Sequence, residues 1–380
     1  MPYENSTFSS VFLDSQRLIG DPNLDQILSK LFSTPEGKRN LMIWLSELNF
    51  NKEISFPTNL INKIHQSQII NLIRVPNWVD PQKLEIARDF FVKNAPWIMN
   101  LLGLLSLPYC YAAEKGSRVL CFTERLSKEP ALRLRETAEF VWEMMDPKAF
   151  EPENKGLVSI LKVRLIHSAV RHYILQDPNW KHEWGTPINQ EDMAGTNLSF
   201  SLVILRGLRK MGISSSAKEQ AAFLHLWNVV GYLLGLEMPL IPNKVEETIH
   251  LEKSIRVRHF KESDHGKELT KKLLDYFHTL PVDPNKPTVY IENWMNDLMG
   301  DHVSGILGIK RESKLGFPLK MISFFNQIGI LDSGKKRASF QSRYQAYQNQ
   351  GKPGDNPNFN WKDYSLYPLP EGVKFSTHKM

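Results

Sequence analysis

The 380-residue chain has only two cysteines, Cys110 and Cys121, and both stand among apolar neighbours. Two cysteines exclude a disulfide framework, and the chain has no C-x-x-C-H sequence for covalent attachment of haem. The first residues also lack a charged region followed by an apolar one, the pattern of a secretory signal. We therefore expect a protein of the reducing cytoplasm.

The sequence also lacks the short motifs of several enzyme classes. No Walker or dinucleotide-binding glycine loop, H-E-x-x-H zinc motif or nucleophile elbow occurs in it. The basic excess is small, 47 − 41 = +6, and no RNP-like aromatic motif or Lys/Arg-Gly repeat accompanies it. The sequence therefore gives no support to hydrolase, kinase, hydride-transfer or nucleic-acid-binding functions.

Long uninterrupted apolar runs are missing as well. The longest apolar stretch, residues 95–113, is broken by four residues: Pro96, Asn100, Gly103 and Pro108. These breaks favour a buried helix with a turn over a membrane span. A second apolar run, residues 318–331, precedes the basic sequence SGKKR. It predicts a core helix with a basic loop or, alternatively, a peripheral membrane contact through residues 318–337.

Periodic apolar segments recur from about residue 23 to residue 330, whereas alternating β-branched patterns are nearly absent. We predict an all-α protein with an N-terminal extension (1–22), a single domain (23–332) and an irregular C-terminal tail (333–380). Asn189 and Ser216 are predicted helix caps. The predicted helices cover residues 37–48, 82–93, 130–145, 156–175, 190–211, 216–236, 244–258, 266–278 and 315–330.

The stretch VRLIHSAVRHYI sets Arg164, His167 and Arg171 at i, i+3 and i+7, within roughly a 60° arc of one helix. Apolar residues cover the opposite side of this helix. Three more apolar residues lie on the same side as the Arg-His-Arg row: Leu157, Ile160 and Leu175. The helix is therefore predicted to be buried, and buried arginines need partners. Two neighbouring arginines disfavour the imidazolium, so a neutral His167 would keep a lone pair for a metal. The alternative is a structural histidine on a solvated or packed face.

A second helical stretch, ALRLRETAEFVWEMM, places a polar trio and an apolar pair on one stripe: Arg133, Glu136, Thr137, Phe140 and Met144. This stripe could form one wall of a pocket, with Arg133 binding an anionic group and Glu136 or Thr137 handling a proton or a bound oxygen species. Alternatively, the trio is an exposed first turn in which Glu136 pairs with Arg133 or a lysine. The later glycines Gly231 and Gly235 permit close approach of another helix or of a flat ligand.

Four segments, taken in order, resemble the rubber-oxygenase catalytic-domain family: RLRET (133–137), RLIHSAVR (164–171), INQED (188–192) and WNVVGYLLG (227–235). The resemblance covers about residues 95–260, and the R-x-x-H-x-x-x-R helix is its most specific part. It implies a globin-like helical bundle core around haem b, with additional helices around that core.

The same resemblance implies roles for individual residues. His167 corresponds to the proximal axial ligand of the haem iron, while Arg164 and Arg171 would flank the haem and bind its propionates or orient its ligand. Arg133 and Thr137 correspond to polar positions on the distal side. Glu136 stands where latex clearing protein, a family member, has a lysine that can cap the iron. This glutamate is expected to act as a distal acid or base, or to pair with Arg133.

We therefore expect a haem b-dependent oxygenase that uses O₂ to attack a hydrophobic, alkene-containing small molecule such as an isoprenoid or lipid. Glu114 is the nearest candidate for the upstream catalytic glutamate that the family implies. Two alternatives remain: a non-enzymatic helical protein that binds haem or lipid, and an all-α scaffold without a cofactor. Family resemblance does not identify the substrate.

Overall fold

The structure, a computed structural model, describes residues 8–37, 39, 63–122, 130–151, 154–279, 291–311 and 340–349. Helices account for most of these residues. Within them the only β-type pairing outside helices is an isolated bridge between Ala113 and Phe260. The all-α prediction is confirmed.

The described ranges contain the following α-helices in chain order: α1 (Ser10–Gln16), α2 (Pro22–Phe32), α3 (Lys63–Leu72), α4 (Pro81–Leu101), α5 (Leu107–Tyr111), α6 (Glu114–Phe122), α7 (Pro130–Met144), α8 (Lys155–Ile174), α9 (Gln190–Phe200), α10 (Leu202–Lys210), α11 (Ala217–Leu233), α12 (Val245–His259), α13 (Asp264–His278), α14 (Ile291–Met299), α15 (Asp301–Ile306) and α16 (Phe340–Asn349). A π-helical turn, Leu102–Ser106, joins α4 to α5, and short 3₁₀ turns occupy His182–Trp184 and Met238–Leu240.

Side-chain caps explain where several helices begin. The Asn189 side chain accepts a hydrogen bond from the backbone N–H of Asp192 at the start of α9. Ser216 and Glu219 form a complete capping box at the start of α11. Each cap satisfies backbone N–H groups that have no partner within the helix. Both predicted caps are confirmed.

The long apolar stretch is a continuous helical segment at the centre of the fold. Among the described residues, Pro81–Tyr111 is long and apolar enough to cross a membrane by length and composition, and 61% of its most apolar window is buried inside the fold. Pro96 lies within α4, so the predicted turn is absent. A Cβ added at Gly103, in the π-helical turn, would lie 2.9 Å from Phe277 Cζ of α13. The burial of this segment agrees with the sequence prediction. A π-helical turn stands in place of the predicted turn that would have interrupted the helix.

The predicted helix 190–211 is two helices, because Ser201 has φ −112° and ψ −84°. Its hydroxyl donates a hydrogen bond of 2.9 Å to the carbonyl of Asn197, the residue one turn earlier. Such back-bonding competes with the regular helical ladder. The break separates α9, which lines the cavity described below, from α10.

Both ends of the described chain contribute to the fold. Leu13 of α1 is fully buried, although the sequence predicted an extension there. In the predicted irregular tail, α16 brings Phe340 and Tyr344 to 5.6 and 5.5 Å from the ring of Trp142. The predicted helix 315–330 and the proposed membrane contact at 318–337 lie outside the described residues, as does nearly all of the predicted helix 37–48.

Candidate functional site

A cavity of about 350 Å³ is enclosed mainly by α5 to α9, α11 and α12. One stripe of α8 supplies Ser159, Val163, His167 and Val170 to its wall. These residues recur at three- and four-residue intervals, which puts them on one side of the helix. Apolar groups supply most of the lining surface, and polar and charged side chains of α5 to α9 and α12 supply the rest.

His167 is enclosed by the fold, and its imidazole faces this cavity. Its Nδ1 atom is buried and has no hydrogen-bond partner among the described residues. Burial and, to a smaller extent, the positive charges of Arg171 and Arg133 together lower the pKa of His167 to about 3. The imidazole is therefore neutral near pH 7 and keeps a lone pair. A buried polar atom without a partner costs about 1–3 kcal/mol, so a ligand for this ring would remove a real penalty.

Arg164 points away from the cavity and is absent from its lining. Its Nε and Nη2 atoms donate to the two carboxylate oxygens of Asp21, at 2.5 and 3.1 Å. Its Nη1 donates to the carbonyls of Leu72 and Leu233, at 2.6 and 3.1 Å. The guanidinium thus has the partners that a buried arginine needs.

Arg171 has the same kind of environment one helical turn beyond His167, and it is also absent from the cavity lining. Its Nε and Nη2 donate to Asp25 at 2.8 and 3.0 Å, and its Nη1 donates to the Ile188 carbonyl at 2.7 Å. The Ser168 hydroxyl donates to Asp25 as well, at 2.5 Å. These positions argue against direct contact of Arg164 and Arg171 with the propionates of a cofactor and agree with the other expectation, that they orient its ligand. Both arginines instead fasten α8 to the start of α2.

Gly235 is needed beside this ion-pair cluster. Its φ is +102°, and an added Cβ would lie 2.8 Å from Asp21 Oδ2 and 3.0 Å from Arg164 Nε. Gly231, in contrast, lines the cavity and is approached by Asn197 of α9. Both glycines therefore permit close packing, the first beside an ion pair and the second beside a helix.

The α7 wall brings the predicted polar trio into the same cavity as His167. Arg133, Glu136 and Thr137 all line it, together with Phe140. Met144 does not, because it is fully buried in the hydrophobic core. The Nε of Arg133 is buried without a hydrogen-bond partner among the described residues. The site therefore holds a guanidinium with at least one N–H group free to donate to a ligand.

Two further carboxyl groups on α7, Glu139 and Glu143, also line the cavity and were missed by the sequence analysis. The Ser159 hydroxyl donates a hydrogen bond to Glu143. Burial raises the pKa of Glu143 to about 7, and burial lowers the pKa of the fully enclosed Lys162 to about 7. The i+7 spacing of Glu143 from Glu136 was a usable signal for this position.

Another polar group lies on the α5 and α12 side of the cavity. The Tyr109 hydroxyl donates to Glu252, a buried residue that also pairs with Arg206 at 2.6 Å and with Arg256 at 3.0 Å. Burial and the Glu252 charge raise the pKa of Tyr109, so this phenol stays protonated. Glu114 is not part of the lining, and its carboxylate is bound by Arg118 of its own helix.

No group of three or more His, Cys, Asp or Glu side chains could hold a metal ion in the described part of the chain. A haem iron needs no such group, because a single proximal histidine can hold it. The neutral imidazole, its unpartnered nitrogen and the largely apolar walls fit a haem held in this way.

Comparisons with known proteins agree with the fold. The family model described as "ER-bound oxygenase mpaB/B'/Rubber oxygenase, catalytic domain" matches residues 96–320. Rubber oxygenase from Streptomyces sp. (strain K30) is 25% identical over 245 residues, which are 64% of this chain and 60% of that protein. The matched region thus spans about 60% of the relative's length. The structure of latex clearing protein LCP in the closed state matches with a TM-score of 0.70 at 20% identity, covering 87% of this chain and 90% of that one.

Proposed function

The chain belongs to the mpaB/rubber oxygenase catalytic-domain family, and on that premise we propose that it is a haem b-dependent oxygenase acting with O₂ on a hydrophobic, alkene-containing small molecule. The observation that carries the proposal is the neutral His167 in the wall of a largely apolar cavity, with a buried Nδ1 that has no partner among the described residues. A neutral imidazole is the form that binds iron.

His167 would hold the iron of the haem. Haem b, when bound, supplies an iron that binds and activates O₂. Arg133 would bind an anionic group, either of the cofactor or of the oxygen chemistry, because its buried Nε has no hydrogen-bond partner among the described residues. Thr137 and Glu136 line the same wall and would hold or move a proton at their hydroxyl and carboxyl oxygens.

The remaining walls would bind the substrate. Apolar side chains of α8, including Val163 and Val170, exclude water and favour a hydrocarbon chain. The relative from Streptomyces is named for rubber, an alkene polymer. For this chain we propose a smaller isoprenoid or lipid-like alkene. Arg164 and Arg171 would act as positioning residues, since they fix the helix that carries His167.

The proposal is tested by substrate-dependent O₂ uptake of the haem-loaded protein with squalene and geranylgeraniol, followed by mass spectrometry of carbonyl products. Glu136→Gln and Thr137→Val are expected to lower the rate by about a hundredfold, in the range of general acid–base effects, while haem content stays constant. Glu262→Gln, at an exposed glutamate, is the matched control. Unchanged rates in both variants would support a non-enzymatic binding protein instead, as would a haem-loaded wild type that takes up no O₂.

A further inference from the structure

Ile188, the residue before the Asn189 cap of α9, has an unusual backbone conformation. Its φ is +51°, and in the part of the chain that the structure describes it is the only residue other than glycine with a positive φ. A β-branched side chain crowds the backbone in this left-handed region, so an isoleucine adopts it only where its surroundings fix it. Strain of this kind is found mainly at functional sites.

Hydrogen bonds around Ile188 fix this conformation. The carbonyl of Ile188 accepts a hydrogen bond of 2.7 Å from Arg171 Nη1. The next residue, Asn189, is fully buried, and its side chain donates to the Thr186 carbonyl at 2.8 Å. The same side chain accepts a hydrogen bond of 2.9 Å from the backbone N–H of Asp192. The turn therefore cannot relax without breaking buried hydrogen bonds, which is costly.

The Ile188 side chain lines the cavity that His167 faces. Arg171 connects the two residues, since its guanidinium donates to the Ile188 carbonyl and its charge lowers the pKa of His167. Val170 follows His167 by three residues on the cavity stripe of α8, and it packs with Ile188 in the apolar cluster around Trp180. Ile188 and His167 therefore share one side of the cavity.

Ile188 is only half-buried, so its side chain still has apolar surface that a ligand could cover. Covering that surface is favourable roughly in proportion to its area. The haem macrocycle is flat and largely apolar, and a haem held by His167 would reach the wall that Ile188 forms. The contact would offset the backbone strain only when the cavity is filled.

We propose that Ile188 is a packing contact for the haem held by His167, and that its left-handed backbone is kept because it places this side chain in the cavity. The inference deepens the proposed function and rests on it, because it takes haem as the occupant. It also gives Arg171 a second task, since this arginine fixes the Ile188 carbonyl as well as α8.

The first measurement is the rate at which the haem-loaded full-length protein transfers its haem to excess apomyoglobin, followed by absorbance. We expect Ile188→Ala and Ile188→Gly to release haem about tenfold faster than the wild type, equivalent to about 1.4 kcal/mol. Ile188→Val keeps a β-branched side chain and should stay near the wild-type rate. Ile69→Ala is the matched control and should also keep that rate, because this isoleucine of α3 is fully buried outside the cavity lining.

The second measurement is urea unfolding of the haem-free protein, which tests the strain. Glycine adopts a positive φ without strain, so Ile188→Gly should unfold at a higher urea concentration than Ile188→Ala. At Val170, which lines the same cavity from the regular helix α8, the order should be reversed. There Val170→Ala should be more stable than Val170→Gly, because alanine favours a helix over glycine.

Three results would overturn the inference. They are a wild-type rate of haem release from both Ile188→Ala and Ile188→Gly, an equal acceleration in Ile69→Ala, and greater stability of Ile188→Ala than of Ile188→Gly. Failure of the proposed function has a different signature, because a wild type that binds no haem would overturn both proposals. A wild type that holds haem and releases it at a rate independent of Ile188 would overturn this inference alone.

Discussion

The imidazole of His167, which faces the cavity with its Nδ1 buried, should make the haem-free fold sensitive to acid. The pKa of this histidine is 6.5 in an unperturbed chain and about 3 in the folded protein. As the pH falls below 6.5, the unfolded chain takes up a proton on His167 that the folded protein does not accept until about pH 3. Stability linked to this group is therefore fully present above pH 6.5 and is lost towards pH 3. At pH 5 the loss is about 1.36 × 1.5, or about 2 kcal/mol.

His167→Gln removes this titration while keeping a polar side chain of similar size. Urea unfolding of the variant and the wild type, both haem-free, at pH 7.5 and pH 5 measures the effect, because the other titrating groups cancel in the difference. Relative to the wild type, the variant should gain about 2 kcal/mol between the two pH values. His182→Gln, at an exposed histidine, is the matched control. A difference that stays constant with pH would refute the buried, neutral imidazole.

Three other predictions follow from contacts around the site. Asp21→Ala leaves Arg164 buried without its carboxylate and should lower the free energy of unfolding by about 3–5 kcal/mol. Asp21→Leu combined with Arg164→Met should cost much less. If urea unfolding shows that the losses of the two single variants simply add in the double variant, the pairing is contradicted. Arg133→Leu removes a half-buried guanidinium whose Nε has no hydrogen-bond partner among the described residues, so the haem-free protein should become about 1–3 kcal/mol more stable while O₂ uptake falls. Lower stability would argue against an unsatisfied Nε. Gly235→Ala puts a Cβ 2.8 Å from Asp21 Oδ2 at a φ of +102° and should destabilise by about 1–3 kcal/mol, and an unchanged thermal midpoint would contradict this strain.

Local spacing predicted the parts of the site that lie on single helices. The i+3 and i+4 intervals within α7 and α8 were enough to place Arg133, Glu136 and Thr137 on one stripe and His167 on another. They could not reveal that the two stripes face one cavity; the resemblance to a family supplied that expectation. The helical bounds of α7 and α8 also agree with the predicted ones to within one residue.

The environment of the arginines could not be predicted from local spacing, because their partners are distant in sequence. Asp21 lies 143 residues from Arg164, and Asp25 lies 146 residues from Arg171. The sequence indicated that buried arginines need partners, but it offered no means to choose between a cofactor and a carboxylate. The segment that holds both aspartates begins in what the sequence predicted to be an extension.

Glu143 was missed for a related reason. On α7 alone it belongs to a polar face that any solvated helix would show. Its burial depends on Ser159 and Lys162 of α8, which approach it only in the folded chain. The break of the predicted helix 190–211 at Ser201 likewise depends on one hydroxyl bonding backwards to Asn197, and helical periodicity alone does not report such a bond.

The most direct test of the central claim is the absorbance spectrum of the protein purified from haem-supplemented cells, recorded for the wild type beside His167→Ala, with a pyridine haemochrome assay to identify the haem. The account predicts haem b and a strong Soret band in the wild type, and a band that is lost or shifted in the variant. A wild-type protein that neither carries haem nor binds it when haem is added would contradict the assignment of His167 as the iron ligand.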